Sequence, residues 1–423
     1  MNLNPDLSST LSEPSRTLPV AGVYDVVVTG GGIAGLAAAV AAARNGASVC
    51  LLERTFSLGG LATLSNVIVW LPLCDGRGRQ MCGGLAEEML RLSVADLGRD
   101  RPKACFGGIP ACWQPGGDPE ARKKHRYLVV FNPDAYLLAL EAWVINAGVK
   151  LLYDTRLCAV RRDGDRITHA IVENKSGRTA LACRTIVDAS GDADVCQLAG
   201  ERTESLDSNV LAGWFYYLRD DELHLDMLSN AYSPAATREG GVGPFFRGDD
   251  AESATAHVLG TRELTRARLA ALRAEHSTSD IQVFGLPTLP AFRMTRRLVS
   301  GFSLGERNRF EYFPDTVGLL GDWRKSGQVY AIPYRSLCAA GVRNLLVAGR
   351  CISADTTIWD VTRSIPGCAV SGQAAGTAAA MAVARTGGDA VALPVAALRR
   401  QLAAQGVLLD SSLVRPNEEE QQK

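Results

Sequence analysis

The sequence lacks an excess of charge of either sign. Over 423 residues, 45 Lys and Arg side chains balance 45 Asp and Glu side chains. There is therefore no global positive field to collect nucleic acid, and no acidic excess that would indicate a disordered chain. Because 47% of the residues are hydrophobic, the chain can bury a sizeable core. The composition predicts an enzyme-sized globular protein whose partner is a small molecule.

Long apolar segments are also missing. Residues 1–21 have neither a basic start nor a continuous apolar stretch, so they indicate a disordered polar tail and not a signal peptide. The alanine-rich stretches 36–43 and 374–384 are too short to span a bilayer. We expect a cytoplasmic protein with no membrane partner.

The cysteines form no redox pattern. There are 11 of them, an odd number, and no C-x-x-C pair occurs. This argues against a disulfide framework and against a dithiol redox centre. We expect most of these thiols, including Cys74 in "WLPLCDG", to be buried small apolar side chains, and we predict no metal site.

A complete strand, turn, helix and strand pattern is present near the start, in "YDVVVTGGGIAGLAAAVAAARNGASVCLLER". In its glycine motif, Gly30 permits a tight turn, Gly32 lets the backbone approach a phosphate, and Gly35 brings the helix close to the strand. A pyrophosphate would lie on the helix N-terminus beside Ile33 and Ala34, where free N–H groups and the helix dipole favour an anion. The unit therefore predicts a dinucleotide site.

Glu53 ends the second strand of this unit. Its carboxylate is placed to accept hydrogen bonds from ribose hydroxyls. The same negative charge disfavours the 2′-phosphate of NADP. On these residues alone, NAD and FAD both remain open.

Further elements follow in the first half of the chain. Segment 132–148 has Asn132 as a helix cap and Pro133 at its first position, so it predicts a helix. Three β-rich stretches then predict a meander: 149–162, 166–174 and 178–187. The last stretch leads to a turn of small residues with Ala189 and Gly191, a second place where a cofactor can approach the backbone.

The middle of the chain lacks this rhythm. Residues 211–310 mix aromatics, a charged helix "ESATAHVLGTRELTRARLAALRAEH" and the basic cluster "FRMTRR", which indicates a separate cap or substrate domain. A buried-strand pattern, "NLLVAGRCISAD", and a helix of small residues, "GCAVSGQAAGTAAAMAVA", then return. The predicted organisation is a tail, a first nucleotide-binding segment, a cap, a returning segment, and a C-terminal helix with a polar tail: 1–21, 22–210, 211–310, 311–390 and 391–423.

Five motifs in this order carry a family resemblance: "GGGIAG…LLER", "GGLAT", "IVDASGDADV", "NLLVAGRCIS" and "GQAAGTAAA". Together they resemble the FAD-dependent oxidoreductases of the glutathione-reductase-type flavoprotein fold, in a branch similar to the fumarate reductase flavoproteins and glucose-inhibited division protein A. The resemblance implies an α/β fold: a Rossmann-like FAD-binding domain with a three-layer parallel sheet and a β-meander, plus a mixed α+β cap or substrate domain. It also implies FAD as the cofactor, ahead of NAD.

The resemblance implies roles for individual positions. Gly30, Gly32 and Gly35 would hold the FAD pyrophosphate, and Glu53 with Arg54 would hold the adenosine ribose. Three later groups would serve the riboflavin side, the ribityl-pyrophosphate region and the pyrimidine edge of the flavin: Gly60, Leu61, Ala62 and Thr63; Gly349 and Arg350; and a helix starting near Gly372 with Ala374 and Ala375. A helix N-terminus at that edge would stabilise the negative charge of a two-electron-reduced flavin.

One departure from the family concerns histidine. Many relatives would have a His shortly after the "GRCIS" strand, whereas this chain has "ADTTIWDVTRS". The side chains expected near the flavin are instead Arg, Asp and Tyr: Arg293, Arg296, Tyr330, Arg335, Asp360 and Arg363. Arginines suit a substrate carboxylate because the guanidinium is a planar fork, and Asp360 or Tyr330 would manage the proton. For each arginine, a structural ion pair or a contact with flavin phosphate is equally open.

These residues lead to three hypotheses. The first is an enzyme, an FAD-dependent oxidoreductase that transfers a hydride between flavin N5 and a small organic substrate, which the arginines suit if it is anionic. The second is a flavin-dependent protein that modifies nucleic acid such as tRNA, against which the balanced charge weighs. The third is an NAD-binding protein without flavin. Because no second G-x-G-x-x-G follows a strand, we expect a separate electron donor or acceptor.

Overall fold

The computed structural model describes residues 13–97, 106–228 and 244–416. Its strands are β1 (Val20–Thr29), β2 (Val49–Leu52), β3 (Val69–Trp70), β4 (Val129–Val130), β5 (Lys150–Leu152), β6 (Arg156–Asp163), β7 (Arg166–Asn174), β8 (Gly177–Asp188), β9 (Thr203–Ser205), β10 (Trp214–Arg219), β11 (Glu222–Met227), β12 (Ile281–Gly285), β13 (Arg296–Leu298), β14 (Thr316–Gly321), β15 (Val329–Pro333) and β16 (Leu345–Val347). Its α-helices are α1 (Ile33–Arg44), α2 (Leu61–Leu64), α3 (Leu85–Ser93), α4 (Pro133–Asn146), α5 (Asp194–Leu198), α6 (Ala251–Glu275), α7 (Thr356–Thr362), α8 (Ile365–Thr386) and α9 (Val395–Ala404).

One sheet organises the fold. Strands β5, β2, β1, β8 and β16 run parallel to their neighbours, and β7 and β6 extend the sheet in antiparallel pairing. Strand β8 links the two parts: β1 pairs with its residues 180–188 on one side, and on the other side β7 pairs with residues 177–182 and β16 with residues 186–188. A parallel sheet continued by a meander confirms the predicted α/β, Rossmann-like class.

Helices α1 and α8 pack against each other and against the parallel sheet. Ten of the 12 residues of α1 are buried, and most of these ten are alanines. A Cβ atom added at Gly372 would lie 2.2 Å from the carbonyl oxygen of Ala34, and one added at Gly376 would lie 2.0 Å from that of Ala38. Glycine is therefore what allows the two helix backbones to approach this closely.

Helix α8 begins earlier than the sequence predicts. The prediction placed its start near Gly372, whereas the structure begins it at Ile365. Ser364 is the N-cap, and its side chain accepts a hydrogen bond from the amide of Gly367. These capping residues precede the run of small residues that suggested the helix, so Gly372 lies about two turns inside it.

The first stretch of the predicted meander, 149–162, is two strands and not one. Strand β5 pairs in parallel with β2 and so belongs to the Rossmann-like part of the sheet. The stretch is then interrupted at Asp154, whose φ of +47° is in the left-handed region, before β6 begins and pairs with β7. The interruption includes one residue with unusual backbone geometry, to which the apolar pattern of the stretch gives no clue.

The segment predicted to be a cap, residues 211–310, contains a small second sheet. Strands β11, β10 and β12 form a three-stranded antiparallel sheet, and α6 confirms the predicted charged helix, with the Asp250 side chain accepting from the amide of Ser253. Strand β13, at the end of the predicted cap segment, pairs instead with β9 of the preceding segment. The cap segment is therefore joined back to the nucleotide-binding part by a strand pair.

The chain termini differ from the prediction at one end. Residues 1–12 of the predicted tail 1–21 lie outside the described residues, and Val20 begins β1. At the other end, α9 is the predicted C-terminal helix, and the last described residue is Pro416. Across the described ranges, no helix is both long enough and apolar enough to cross a membrane.

The cysteines agree with the burial expected of them. Ten of them lie in the described parts of the chain as free thiols, and seven of these are buried. Cys74 accepts a hydrogen bond from the amide of Tyr127 at 3.3 Å. Its thiol is thus part of the packed interior.

Candidate functional site

A cavity of about 410 Å³ lies at the carboxyl ends of the parallel strands. Its lining includes the last residues of two strands, Thr29 of β1 and Leu52 of β2, and the residues that follow two others, Ala189 after β8 and Ala348 after β16. The carboxyl edge of an open parallel sheet is where such folds bind their ligands. The N-terminal ends of α1 and α8 open into the same cavity.

The glycine loop leaves room for an anion at the start of α1. Gly32 is the N-cap of α1, and no side chain caps the helix there. A Cβ atom added at Gly32 would approach only the Cα of Gly60, at 3.9 Å. Gly32, Ile33 and Ala34 all line the cavity. Uncapped N–H groups facing open space fit a diphosphate.

The other two glycines of the motif are needed for close packing of the backbone. A Cβ atom added at Gly30, whose φ is +100°, would lie 2.4 Å from the carbonyl oxygen of Ala189. One added at Gly35 would lie 1.8 Å from the carbonyl oxygen of Gly30. Gly30 lines the cavity, whereas Gly35 lies behind it, between α1 and the end of β1. Gly35 was predicted to bind the cofactor, and its position makes it a residue that holds helix and strand together.

Glu53 and Arg54 both line the cavity, as the ribose prediction requires. The Glu53 carboxylate also holds the glycine loop, because Oε2 accepts from the amide of Gly31 at 2.7 Å. Its Oε1 accepts from the amide and hydroxyl of Thr55 at 2.7 and 2.8 Å. Sequence reasoning missed this second task of Glu53, which fixes the loop before any ligand binds.

A large part of the lining is apolar and is called the apolar wall. Gly60, Leu61 and Ala62, which were predicted to bind the cofactor, belong to it. The Thr63 side chain lies outside the lining, and its hydroxyl donates to the carbonyl of Leu58. Further apolar residues complete the wall, and the sequence carried no motif for them: Leu64, Val67, Val69, Leu71, Leu289 and Ala291. A cavity with an anion site and an apolar wall fits a ligand with one charged part and one flat, uncharged part.

Arg350 lies at the base of the cavity and is held on three sides. Its Nη2 donates to Asp192 at 3.0 Å, its Nη1 donates to the carbonyl of Phe292 at 2.9 Å, and its Nε donates to the carbonyl of Gly191. Gly191 and Gly349 line the cavity beside it, as predicted. Arg350 therefore joins the turn after β8 to the turn after β16.

At the start of α8, the cavity meets residues that were not predicted to bind the cofactor. Ser364, Ile365 and Cys368 line it. Three residues that were predicted to do so are instead fully buried in the interior of α8, outside the lining: Gly372, Ala374 and Ala375. The reason is the earlier start of the helix, which carries this stretch away from the cavity and against α1.

The six candidate catalytic residues separate into two groups. Arg293, Arg296 and Arg363 line the cavity. The other three lie outside the lining: Tyr330, Arg335 and Asp360. The Asp360 carboxylate does not line the cavity and contacts Arg363, which does.

The side chains of Tyr330 and Arg335 contact other parts of the protein and not the cavity. Tyr330 is fully buried in β15, and burial raises the pKa of its hydroxyl to about 12. Arg335 pairs with Asp315, and its guanidinium lies 4.3 Å and 4.9 Å from the ring centres of Phe302 and Phe313. Neither side chain lines this cavity, and the catalytic role expected of each stays a prediction.

The lining carries more positive than negative charge. Six arginines line the cavity against two acidic residues: Arg54, Arg156, Arg293, Arg296, Arg350 and Arg363 against Glu53 and Asp194. Among the described residues, no cluster of three or more His, Cys, Asp or Glu side chains could hold a metal ion. The arrangement favours organic anions.

Asp194 is the acid at one end of this cavity. Its Oδ1 accepts from Arg296 Nη2 at 2.6 Å, and Arg296 Nε also donates to the carbonyl of Asp192 at 2.8 Å. Burial, together with the neighbouring Asp192 and Asp188 carboxylates, raises the pKa of Asp194 to about 6, although Arg296 and Arg54 oppose the shift. Asp194 therefore changes charge near neutral pH.

Comparison with known proteins gives one broad match and several weaker ones. A family model described as FAD dependent oxidoreductase matches residues 25–208 and 249–402. A stretch of 73 residues is 41% identical to the thioredoxin reductase of Ureaplasma parvum serovar 3 (strain ATCC 700970), which is 17% of this chain and 24% of that protein. The chain thus spans about a quarter of that relative's length.

Two solved structures are similar over most of the chain. The myxobacterial chondrochloren halogenase CndH, a variant of FAD-dependent halogenases, is 15% identical with a TM-score of 0.44, covering 90% of this chain and 78% of that one. The p-nitrophenol 4-monooxygenase PnpA from Pseudomonas putida DLL-E4 is 13% identical with a TM-score of 0.43, covering 90% of this chain and 84% of that one.

Proposed function

Because the chain belongs to the family of FAD dependent oxidoreductases and its cofactor is FAD, we propose that it transfers a hydride between the flavin and a small organic anion in this cavity. FAD replaces NAD as the ligand of the glycine motif, which had left the two open. When bound, FAD supplies the two-electron redox chemistry. The side chains of this protein bind, orient and shield the reactants.

The cofactor fits the lining in parts. The uncapped start of α1 at Gly32 suits the diphosphate. Glu53 and Arg54 suit the adenosine ribose, because they line the cavity where β2 ends. The apolar wall suits the flat ring system, since burying apolar surface favours binding and keeps water out.

We infer the class of the substrate from the number of arginines in the lining. Six arginines face two acidic side chains, and an FAD diphosphate brings about two negative charges. Arg350 and Arg363 also pair with Asp192 and Asp360, which lie outside the lining, so the inference rests on the guanidinium groups that face the cavity and not on net charge. A substrate carboxylate would gain charge-assisted hydrogen bonds from such a planar guanidinium.

The first test is the visible spectrum of the purified protein, before and after denaturation, with chromatography of whatever is released. We expect a flavin spectrum and free FAD. The FAD-loaded protein is then mixed anaerobically with matched pairs of 2-hydroxy acids and their amides, whose C2–H supplies the hydride while the hydroxyl loses a proton and C2 becomes a carbonyl, and flavin bleaching is followed by stopped flow. At low substrate concentration, each acid should reduce the flavin at least about a hundredfold faster than its amide does, because the acid gains a charge-assisted hydrogen bond. Equal rates for acids and amides would contradict the proposal.

The affinity for FAD should depend on pH through Asp194. Below the pKa of about 6, Asp194 is neutral and does not repel the diphosphate. As pH rises above 6, the carboxylate ionises, so the dissociation constant of FAD should rise by about tenfold between pH 6 and pH 8. Fluorescence titration of the apoprotein with FAD would measure this.

Two variants make the pH test specific. In Asp194→Asn the pH dependence should disappear, because no carboxylate titrates at that position. In Asp134→Asn, on the exposed first turn of α4, it should persist. A pH dependence that survives unchanged in Asp194→Asn would show that another group is responsible.

A further inference from the structure

Arg363 offers one guanidinium nitrogen to the cavity. Its side chain is 9% exposed and lines the cavity between α7 and α8. Nη2 donates to the carboxylate of Asp360, and Nε is buried with no hydrogen-bond partner among the described residues. Within those same residues Nη1 makes no hydrogen bond, yet it is not closed off from solvent. Nη1 is therefore the atom left for a ligand.

A chain of charged side chains stands behind Arg363. Asp360 Oδ2 lies 3.8 Å from Arg324 Nη1. Arg324 in turn donates from Nε and Nη2 to the two oxygens of Asp322, at 3.0 Å each. The Asp322 side chain is fully buried, and the Asp360 side chain is 9% exposed. Two cations and two anions thus alternate from the interior to the cavity.

The backbone fixes this chain at both ends. The amide of Arg324 donates to Asp322 at 2.9 Å, and Arg324 Nη1 donates to the carbonyl of Thr357 in α7 at 3.2 Å. The indole of Trp323 donates to the carbonyl of Asp360 at 3.1 Å. These contacts hold α7 and its Asp360 against the turn after β14. The forked contact with Asp322 fixes the direction of the Arg324 guanidinium, and Arg324 then attracts Oδ2 of Asp360 at 3.8 Å, which leaves Oδ1 for Arg363.

We propose that Arg363 is the residue that binds the substrate carboxylate, and that Arg324 is a positioning residue that orients it through Asp360. The inference rests on the proposed function, in which the substrate is an anion. Arg324 does not line the cavity, so it acts only through Asp360. The diphosphate has its own site at the uncapped start of α1, which leaves the Nη1 of Arg363 for the other anion.

The test uses the FAD-loaded protein and potassium oxalate as a carboxylate probe, with binding measured by calorimetry. Arg363→Gln should weaken oxalate binding at least about a hundredfold, and Arg324→Gln about tenfold, since a charge-assisted contact is lost or misdirected. Arg324→Lys keeps the charge without the fork and should lie between Arg324→Gln and the unmodified protein. Lys325→Gln is the matched control, because Lys325 is 51% exposed and, among the residues that the structure describes, forms its one ion pair with Glu306 at the surface; its oxalate affinity should stay within about twofold.

The flavin reduction potential and the FAD affinity of Arg324→Gln distinguish the proposal from two other roles of Arg363 and Arg324. If Arg363 faces the flavin, Arg324→Gln should lower the flavin reduction potential by about 30 mV, a tenfold change for a two-electron couple, with oxalate affinity unchanged. If Arg324 is merely structural, the FAD affinity of Arg324→Gln should fall together with its oxalate affinity; a lower melting temperature alone decides nothing, because the substitution removes the ion-pair partner of the buried Asp322. Either result overturns the proposal, as does unmodified protein that binds no oxalate.

Failure of this inference can be told apart from failure of the proposed function. Protein that carries no flavin, or that is reduced equally fast by acids and amides, would refute the proposed function before any variant is made. Flavin-loaded protein that prefers acids but keeps its oxalate affinity in Arg324→Gln would refute the positioning role alone.

Discussion

Gly32→Asp is expected to give a folded protein that does not bind FAD. Gly32 is the N-cap of α1, with extended backbone geometry that any residue can adopt, at φ −73° and ψ 177°. Its added side chain would project into open space, because the nearest atom is 3.9 Å away. Asp is a favoured N-cap, so the free energy of unfolding of the apoprotein should be unchanged or rise by a few tenths of a kcal/mol.

The same substitution places a carboxylate where the diphosphate would lie. Two like charges about 4 Å apart near a protein surface repel by about 4 kcal/mol, which is roughly a thousandfold in the dissociation constant of FAD. The measurements are the flavin content of the purified protein and the FAD titration of the apoprotein, with urea unfolding of each apoprotein alongside. Yellow Gly32→Asp protein with FAD affinity near that of the unmodified chain would show that the diphosphate does not lie at α1.

Gly35→Ala is the matched variant, three positions along the same motif. Its Cβ would lie 1.8 Å from the carbonyl oxygen of Gly30, so it should destabilise the fold itself. Overpacking of this kind costs about 1–3 kcal/mol or more. The two substitutions in this motif are thus expected to have different effects: Gly32→Asp weakens FAD binding, and Gly35→Ala lowers the free energy of unfolding.

The second large effect is expected from Gly376→Ala. In an ordinary helix interior, replacing glycine by alanine raises the free energy of unfolding by about 1 kcal/mol. Here the added Cβ would lie 2.0 Å from the carbonyl oxygen of Ala38 in α1, and backbone cannot move aside as a side chain can. We expect a loss of about 3 kcal/mol instead, measured as a fall in the urea midpoint of the apoprotein.

Gly260→Ala is its control, since Gly260 lies inside another long helix, α6. Its Cβ would meet only the flexible end of Leu211, at 3.0 and 3.3 Å. A change within about 1 kcal/mol is expected, with a gain if Leu211 can shift. If both variants had the same stability, the close approach of α1 and α8 would be incorrect.

The sequence was informative wherever chemistry requires one residue type at one place. The strand, glycine turn and helix around Gly30 could be predicted because few other residues fit such a turn or such a close approach. The helix over residues 132–148 was equally clear, since Asn132 accepts from the amides of Asp134 and Ala135 at its start. Such signals are local, so one sequence is enough to read them.

The remaining features of the site depend on which way each side chain points and on which distant segments meet, and a single sequence does not give this information. In "FRMTRR", Arg293 and Arg296 line the cavity while Arg297 pairs with Glu204, and nothing in the pattern distinguishes them. Tyr330 lies on a fully buried strand whose apolar neighbours gave no hint of which face it joins. The apolar wall comes from two segments more than 200 residues apart, such as Leu64 and Leu289. Contacts of this kind are set by tertiary packing, not by local propensity.

The packing of α1 against α8 has a consequence for synthesis of the protein. Helix α1 ends at Arg44, and α8 begins at Ile365. A ribosome that adds about 5–20 residues per second needs roughly 15–65 seconds to cross that interval. Throughout that time the first unit has a complete glycine loop but no partner for its alanine face. We therefore expect uptake of the cofactor only after α8 has been synthesised, because residues at the start of α8 also line the cavity.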